Sequence, residues 1–152
     1  MSIKNLILSL TLITSLLVLP TKVIAEPIEI PLVVSLTVEQ QVEYFAKLYG
    51  ADVSLVSKVM ECESGGNHKA IGDSGLSKGV FQYQRSTFER HEKLLGEDLN
   101  YQSSYDQIKL ASFAIANGMG NEWTAYRAIQ NGGKYSFYSK QLQKSFVVYC
   151  KL

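Results

Sequence analysis

Asp52-Val53-Ser54-Leu55-Val56-Ser57-Lys58-Val59-Met60-Glu61-Cys62-Glu63-Ser64-Gly65-Gly66-Asn67 is the stretch on which the fold reading turns. Asp52 can cap a helix, because its side-chain oxygen can accept one of the unpaired N–H groups of the first turn. Leu55, Val56, Val59 and Met60 then recur at helical spacing as a buried stripe. Ser64-Gly65-Gly66-Asn67 stops the helix. Glu63 therefore sits in the last turn of a helix whose other face is apolar. A carboxylate there faces the negative end of the helix dipole, and partial burial adds a desolvation effect of the same sign. Both raise its proton affinity, as a general acid working near neutral pH requires. On position alone, a solvated glutamate at a fraying helix end is the simpler reading.

Working outward, the same pattern repeats on both sides. Thr37 with Gln40 forms a capping box, Val42, Phe45, Ala46 and Tyr49 follow at helical spacing, and Gly50 ends that helix. Residues 71–83 hold Gly72, Gly75 and Gly79, which predicts a loop or a small sheet. Ser86 with Glu89 is a second capping box, opening a helix to about Leu95. Ser103 or Ser104 caps the next, with Ile108, Ala111, Ser112 and Ile115 on one face and Gly118 after it. Glu122 to Gln130 reads as a short helix closed by Asn131-Gly132-Gly133. Ser136 to Tyr149 reads as a last helix, with Phe137, Leu142, Phe146 and Val147 inward. The expected class is mainly α: five or six short helices with one glycine-rich loop or small β element. The run Glu89-Arg90-His91-Glu92-Lys93 reads as a solvated face.

Length and composition bound the function. A chain of 152 residues suits one domain, and 46% hydrophobic with 19% charged residues is a globular balance. Net charge is +1 and no Lys/Arg run exceeds two residues, so the phosphate-neutralising footprint of a nucleic-acid binder is missing. At the start, Lys4 precedes a largely apolar run from Leu6 to Leu19. Pro20 breaks the run, and Val23-Ile24-Ala25 offers small residues for cleavage. Residues 1–25 are thus expected to be a secretory signal peptide; the run is short for a spanning anchor. No stable membrane anchor is expected after cleavage, and the localisation is exported, periplasmic or extracellular. Lys4 and Lys22 would leave with the signal, so the remaining chain would carry 13 basic and 14 acidic residues. Residues 26–35, with Pro27 and Pro31, read as an extended arm, and 36–152 as the folded domain. In an oxidising compartment the pair Cys62 and Cys150 predicts one disulfide, the alternative being two separate buried thiols. With His68 and His91 they are the only Cys and His, at scattered spacings, so no metal site and no cofactor is expected.

Glu63-Ser64-Gly65-Gly66-Asn67 is followed by Ala70, by Ser77-Lys78-Gly79-Val80-Phe81-Gln82, and by Thr87. This set in register resembles the lytic transglycosylases of the soluble-lytic-transglycosylase type, in the lysozyme-like superfamily, from about Asp52 to Tyr138. The resemblance implies cleavage of the β-1,4 bond between N-acetylmuramic acid and N-acetylglucosamine in peptidoglycan, leaving a 1,6-anhydro end. It implies Glu63 as the single acid and base, because the muramoyl 6-hydroxyl supplies the nucleophile. It implies that Ser77 and Gln82 line the cleft and orient substrate; a turn role for Ser77 and loop hydrogen bonding for Gln82 are the structural alternatives. Trp123, Tyr126 and Asn131-Gly132 resemble a later element of the family. Arg127 stands there where an Asn usually follows the Tyr. Tyr126 is the aromatic candidate for contact with the sugar or with Glu63, the alternative being a core position. His68 and Arg85 stand where many members have proline. A small single-domain branch also carries a Cys before the acid and another near the C-terminus, which supports the pairing of Cys62 with Cys150. Many short exported relatives of this size serve secretion or conjugation machines, a compatible partner here.

Rival readings remain open at this point. Gly72-Asp73-Ser74-Gly75 looks like a serine-hydrolase signature, but both histidines, His68 and His91, lie close to it in sequence, and none lies far upstream or near the C-terminus, where the known triads place their base. A water-using muramidase needs a second carboxylate near the acid; Asp73 is the nearby one in sequence. A glycan-binding component of a secretion system without turnover is the third reading.

Overall fold

The computed structural model describes residues 35–140 and 142–151. The expected signal peptide and nearly all of the expected N-terminal arm lie outside the described residues. Among the described residues, five α-helices and two small antiparallel sheets follow one another.

Helix α1 (Val38–Tyr49) begins at Thr37, whose hydroxyl accepts from the Gln40 N–H while the Gln40 side chain accepts from the Thr37 N–H. The expected capping box is present, and Gly50 closes the helix in the left-handed conformation. Helix α2 (Val53–Ser64) is capped by Asp52 and closed by Gly65. Strands β1 (Ile71–Gly72), β2 (Ser77–Lys78) and β3 (Tyr83–Gln84) form a three-stranded sheet in that order. Its register pairs Ile71 with Lys78 and Gly72 with Ser77. The glycine-rich segment is thus a small sheet rather than an open loop.

Strand β3 runs directly into helix α3 (Arg85–Leu95). Here the expected Ser86 capping box is corrected. The helix starts before Ser86, at a Gln84 that makes no side-chain cap bond, because the strand already sets the chain direction at that junction. Helix α4 (Ser104–Ala116) is capped by Ser103, and helix α5 (Thr124–Gln130) follows a 3₁₀ turn at Gly120–Glu122. Helix α4 is the spine of the core. Its Ile108, Leu110, Ala111 and Ala114 are fully buried, and it packs on α1 through Val42, Phe45 and Ala46.

The expected last helix over 136–149 is a β-hairpin instead, of β4 (Lys134–Ser139) and β5 (Lys144–Tyr149). Burial there alternates with period two, residue by residue, along β4 and from Ser145 along β5. Tyr135 and Val148 pair directly and pack on the core, as Phe137 and Phe146 pair beyond them with rings stacked at 5.5 Å. Leu142 and Val147, expected inward, are exposed. A lone two-stranded hairpin is marginal in water; this one leans on α5, and the Cys62–Cys150 disulfide ties its base to α2.

Candidate active site

Three consecutive residues at the end of α2 are each held by a different part of the chain. Cys62 is bonded to Cys150 after β5. Ser64 donates its hydroxyl to the Val80 carbonyl at 2.7 Å, pinning the helix end to the glycine-rich segment. Between them, the Glu63 carboxyl accepts from the Ala125 backbone N–H in the first turn of α5. The acid is therefore fixed where α2, the small sheet and α5 meet.

Glu63 opens into a polar cleft of about 330 Å³ lined also by Gly72, Asp73, Ser77, Gln82, Tyr83, Gln84, Thr87, Glu122, Trp123 and Thr124. Burial pushes the Glu63 carboxyl up to about 7; the Ala125 N–H pulls the other way, and the charge of Asp73 adds to the rise. Burial is the largest of these causes, with the same sign as the sequence argument. At neutral pH the carboxyl is divided between its acid and base forms.

Ser77 is buried in the cleft wall and donates its hydroxyl to Asp73 at 2.5 Å. Asp73 and Ser74 have φ of 48° and 56°, and Gln82 has 47°. Such left-handed backbone is uncommon outside glycine and is favoured where surrounding structure holds it. Gln82 donates its amide to the carbonyls of Gly79 (2.8 Å) and Ala70 (3.2 Å). It both lines the cleft and laces the loop beneath it. Tyr126 is not in the cleft wall. Its ring lies against Gly120, where a Cβ would come within 2.3 Å of the ring, so it holds the turn before α5.

The sequence does not mark Glu122, which lines the cleft, or the Arg90 and His91 that pack against it. Glu122 is gripped by the Arg90 guanidinium in a two-point fork of 2.8 and 2.5 Å. That fork holds its carboxyl below the usual range despite partial burial. His91, expected on a solvated face, is fully buried: Nδ1 lies 3.2 Å from the Tyr83 hydroxyl and Nε2 lies 3.2 Å from Glu122. Burial pushes the His91 pKa down. Trp123 donates its indole N–H to the Phe81 carbonyl at 2.9 Å. No local pattern links Arg90 to Glu122, 32 positions apart in sequence. Only the spacing that puts Phe88 and His91 on one helix face hinted that the charge run was half core. Among the described residues no group of three or more His, Cys, Asp or Glu is placed to hold a metal.

A helical domain with a single half-buried carboxyl fixed at a helix end, facing a polar cleft walled by a small sheet, belongs to the lysozyme-like class. The family model of the transglycosylase SLT domain matches residues 41–119, more than half of the chain and from α1 through the end of α4. The chain belongs to that family, whose members act on peptidoglycan. No curated protein and no solved structure matches it. No helix among the described residues is long and apolar enough to cross a membrane.

Proposed function

We propose that this chain is an exported lytic transglycosylase, with residues 1–25 as its signal and residues 36–152 as its catalytic domain. It cleaves the bond between N-acetylmuramic acid and N-acetylglucosamine. Glu63 donates its proton to the bridging oxygen as the C1–O bond breaks. The resulting carboxylate takes the proton of the muramoyl 6-hydroxyl, whose oxygen then bonds to C1. The acid is regenerated, no water is consumed, and the product ends in a 1,6-anhydro ring.

The observation that carries this reading is the state of Glu63. A carboxyl raised to about 7 can give and take back a proton in one cycle near neutral pH. Ser77 and Gln82 supply polar edges on the same cleft for orienting the sugars. The bond between Cys62 and Cys150 fits an oxidising compartment.

A second reading, hydrolysis, is favoured by one fact: Asp73 faces the same cleft and its charge is felt by Glu63. Mass spectrometry of muropeptides released from purified peptidoglycan separates the two. Products one water lighter than reducing-end sugars, absent with Glu63→Gln, support the anhydro reaction. Reducing-end products transfer the assignment to hydrolysis with Asp73 as base. No release by the wild-type chain defeats both and leaves a glycan-binding role.

A further inference from the structure

The small sheet has two faces, and the second is also concave. Adjacent strand residues project to opposite sides. Gly72 and Ser77 pair and line the Glu63 cleft; Ile71 and Lys78 pair and line a separate hollow of about 280 Å³ behind it. His68, Lys69 and Gln102 complete its rim, and no carboxylate lines it. Neither Lys69 nor Lys78 takes part in any ion pair among the described residues. Two unpaired ammonium groups and an imidazole thus gather around one hollow in a chain of near-zero net charge.

Hydrogen bonds brace the hollow on two sides. The Asn67 side chain accepts from the Lys69 N–H at 2.9 Å, and the Asn67 carbonyl accepts from the Ala70 N–H at 3.1 Å, which fixes the turn carrying Lys69. Its floor is Gly79 laid on the buried Gln107 amide, which donates to the Lys78 and Tyr101 carbonyls and accepts from the Phe81 N–H. Ile71, 69% exposed, supplies an aliphatic edge beside the lysines. The wall between hollow and cleft is one side chain thick: Gln82 lines the cleft and bonds the Ala70 and Gly79 carbonyls of the hollow.

We propose that this hollow binds carboxylates, and that its occupant is the acidic peptide borne on the muramoyl lactyl groups of the glycan strand. The assignment rests on the glycan-cleaving reading of the Glu63 cleft. A peptide that alternates small aliphatic and carboxylate groups matches Ile71 beside Lys69 and Lys78. The hollow and the cleft share one ladder, with the pair Ile71–Lys78 next to the pair Gly72–Ser77, so the two sites are neighbours on the same sheet. The hollow then favours peptide-bearing over bare glycan. Inorganic phosphate shares the anionic chemistry and is the other source to separate.

The test has a binding arm and a turnover arm. The binding probe is the tripeptide L-Ala-γ-D-Glu-L-Lys, titrated into the full domain while backbone amide resonances are followed by NMR. Shifts confined to 68–71, 78–79 and 102, lost in Lys69→Gln/Lys78→Gln and lost when the probe's carboxylates are amidated, are the expected result. Absent shifts, shifts elsewhere, or equal shifts with phosphate at matched ionic strength would overturn the proposal. Lys78→Arg should restore binding, and an unchanged melting temperature shows that the double variant folds.

In the turnover arm, the double variant should lose about tenfold in release from intact peptidoglycan while matching wild type on amidase-stripped glycan, as expected for lost charge-assisted contacts. An equal loss on both substrates counts against the site. Failure of the wild-type chain on both substrates defeats the glycan-cleaving reading and not the peptide site, which the titration decides on its own.

Discussion

Asp73 accepts the Ser77 hydroxyl at 2.5 Å across the glycine-rich turn, and the Asp73 charge is one that raises the Glu63 carboxyl. Asp73→Asn removes that charge and keeps an acceptor for Ser77. The alkaline limb of the pH–rate profile, where Glu63 loses its proton, should move to lower pH. The measurement is release rate against pH for both proteins, with product mass recorded in parallel. A limb that stays in place would mean that the Asp73 charge does not reach Glu63.

Glu63→Gln should lower bond cleavage by roughly 10²–10⁴-fold, the range for loss of a general acid. It should also change stability with a definite sign. The folded carboxyl, raised to about 7, holds its proton more tightly than the ordinary value of 4.5. Wild-type stability therefore falls as pH rises from about 4.5 through about 7 and stays low above that. Allowing for the solvent-facing side of the carboxyl, the fall is on the order of 2 kcal/mol, and the Gln variant should lack it. Urea midpoints at acid and alkaline pH check this.

His91 contributes the opposite slope. Its pKa is lowered by burial, so the unfolded chain binds the proton more readily. Stability on this account is present above the ordinary histidine value and is lost as pH falls below it. His91→Gln should flatten that acid-side loss in the same urea series, while removing a ring packed beside Tyr83 and Trp123.

Joining Cys62 to Cys150 spans 88 positions of sequence. A closed loop of that size stabilises by about 4 kcal/mol in the chain-entropy account. Reductant, or the Cys62→Ser/Cys150→Ser pair, should lower the melting temperature by many degrees. Amide exchange should quicken first in the hairpin, whose base the disulfide ties to α2. Equal melting temperatures with and without reductant would contradict this.

Gly79→Ala should destabilise by about 2 kcal/mol or more. The backbone there has φ of 79°, and the new Cβ would lie within 2.3 Å of the Gln107 amide. Displacing Gln107 unpairs the Phe81 N–H and the Lys78 and Tyr101 carbonyls together. Thermal unfolding measures the cost.

The helices were legible wherever a local signal marked them. Thr37 with Gln40, Asp52 and Ser103 each cap the helix they were expected to cap. The hairpin was not legible, because its turn lacks the Asn-Gly pair that announces one. Gln143, with φ of 49°, takes the left-handed position instead. Phe137, Leu142, Phe146 and Val147 also happen to fit a loose helical spacing. In the site, Glu63, Ser77, Gln82 and Asp73 come together in one cleft, as their clustering along the chain suggested. Glu122 and its Arg90 fork did not show, because that contact joins two helical regions and leaves no local spacing to read. Tyr126 is not among the residues lining the cleft, and its ring rests on Gly120, a packing visible only in three dimensions.

The three ties at Cys62, Glu63 and Ser64 close at the base of the hairpin, on Val80 and on α5, and none reaches the hairpin tip. The turn between the paired residues Ser139 and Lys144, with exposed Leu142 in it and exposed Tyr138 beside it, can therefore change length without disturbing the acid. Doubling a loop adds only about 0.6 kcal/mol of closure entropy. The fold thus carries a natural graft point: a place where a tag, a targeting peptide or a whole further module can be spliced in while the chemistry at the other end of the sheet stays as it is.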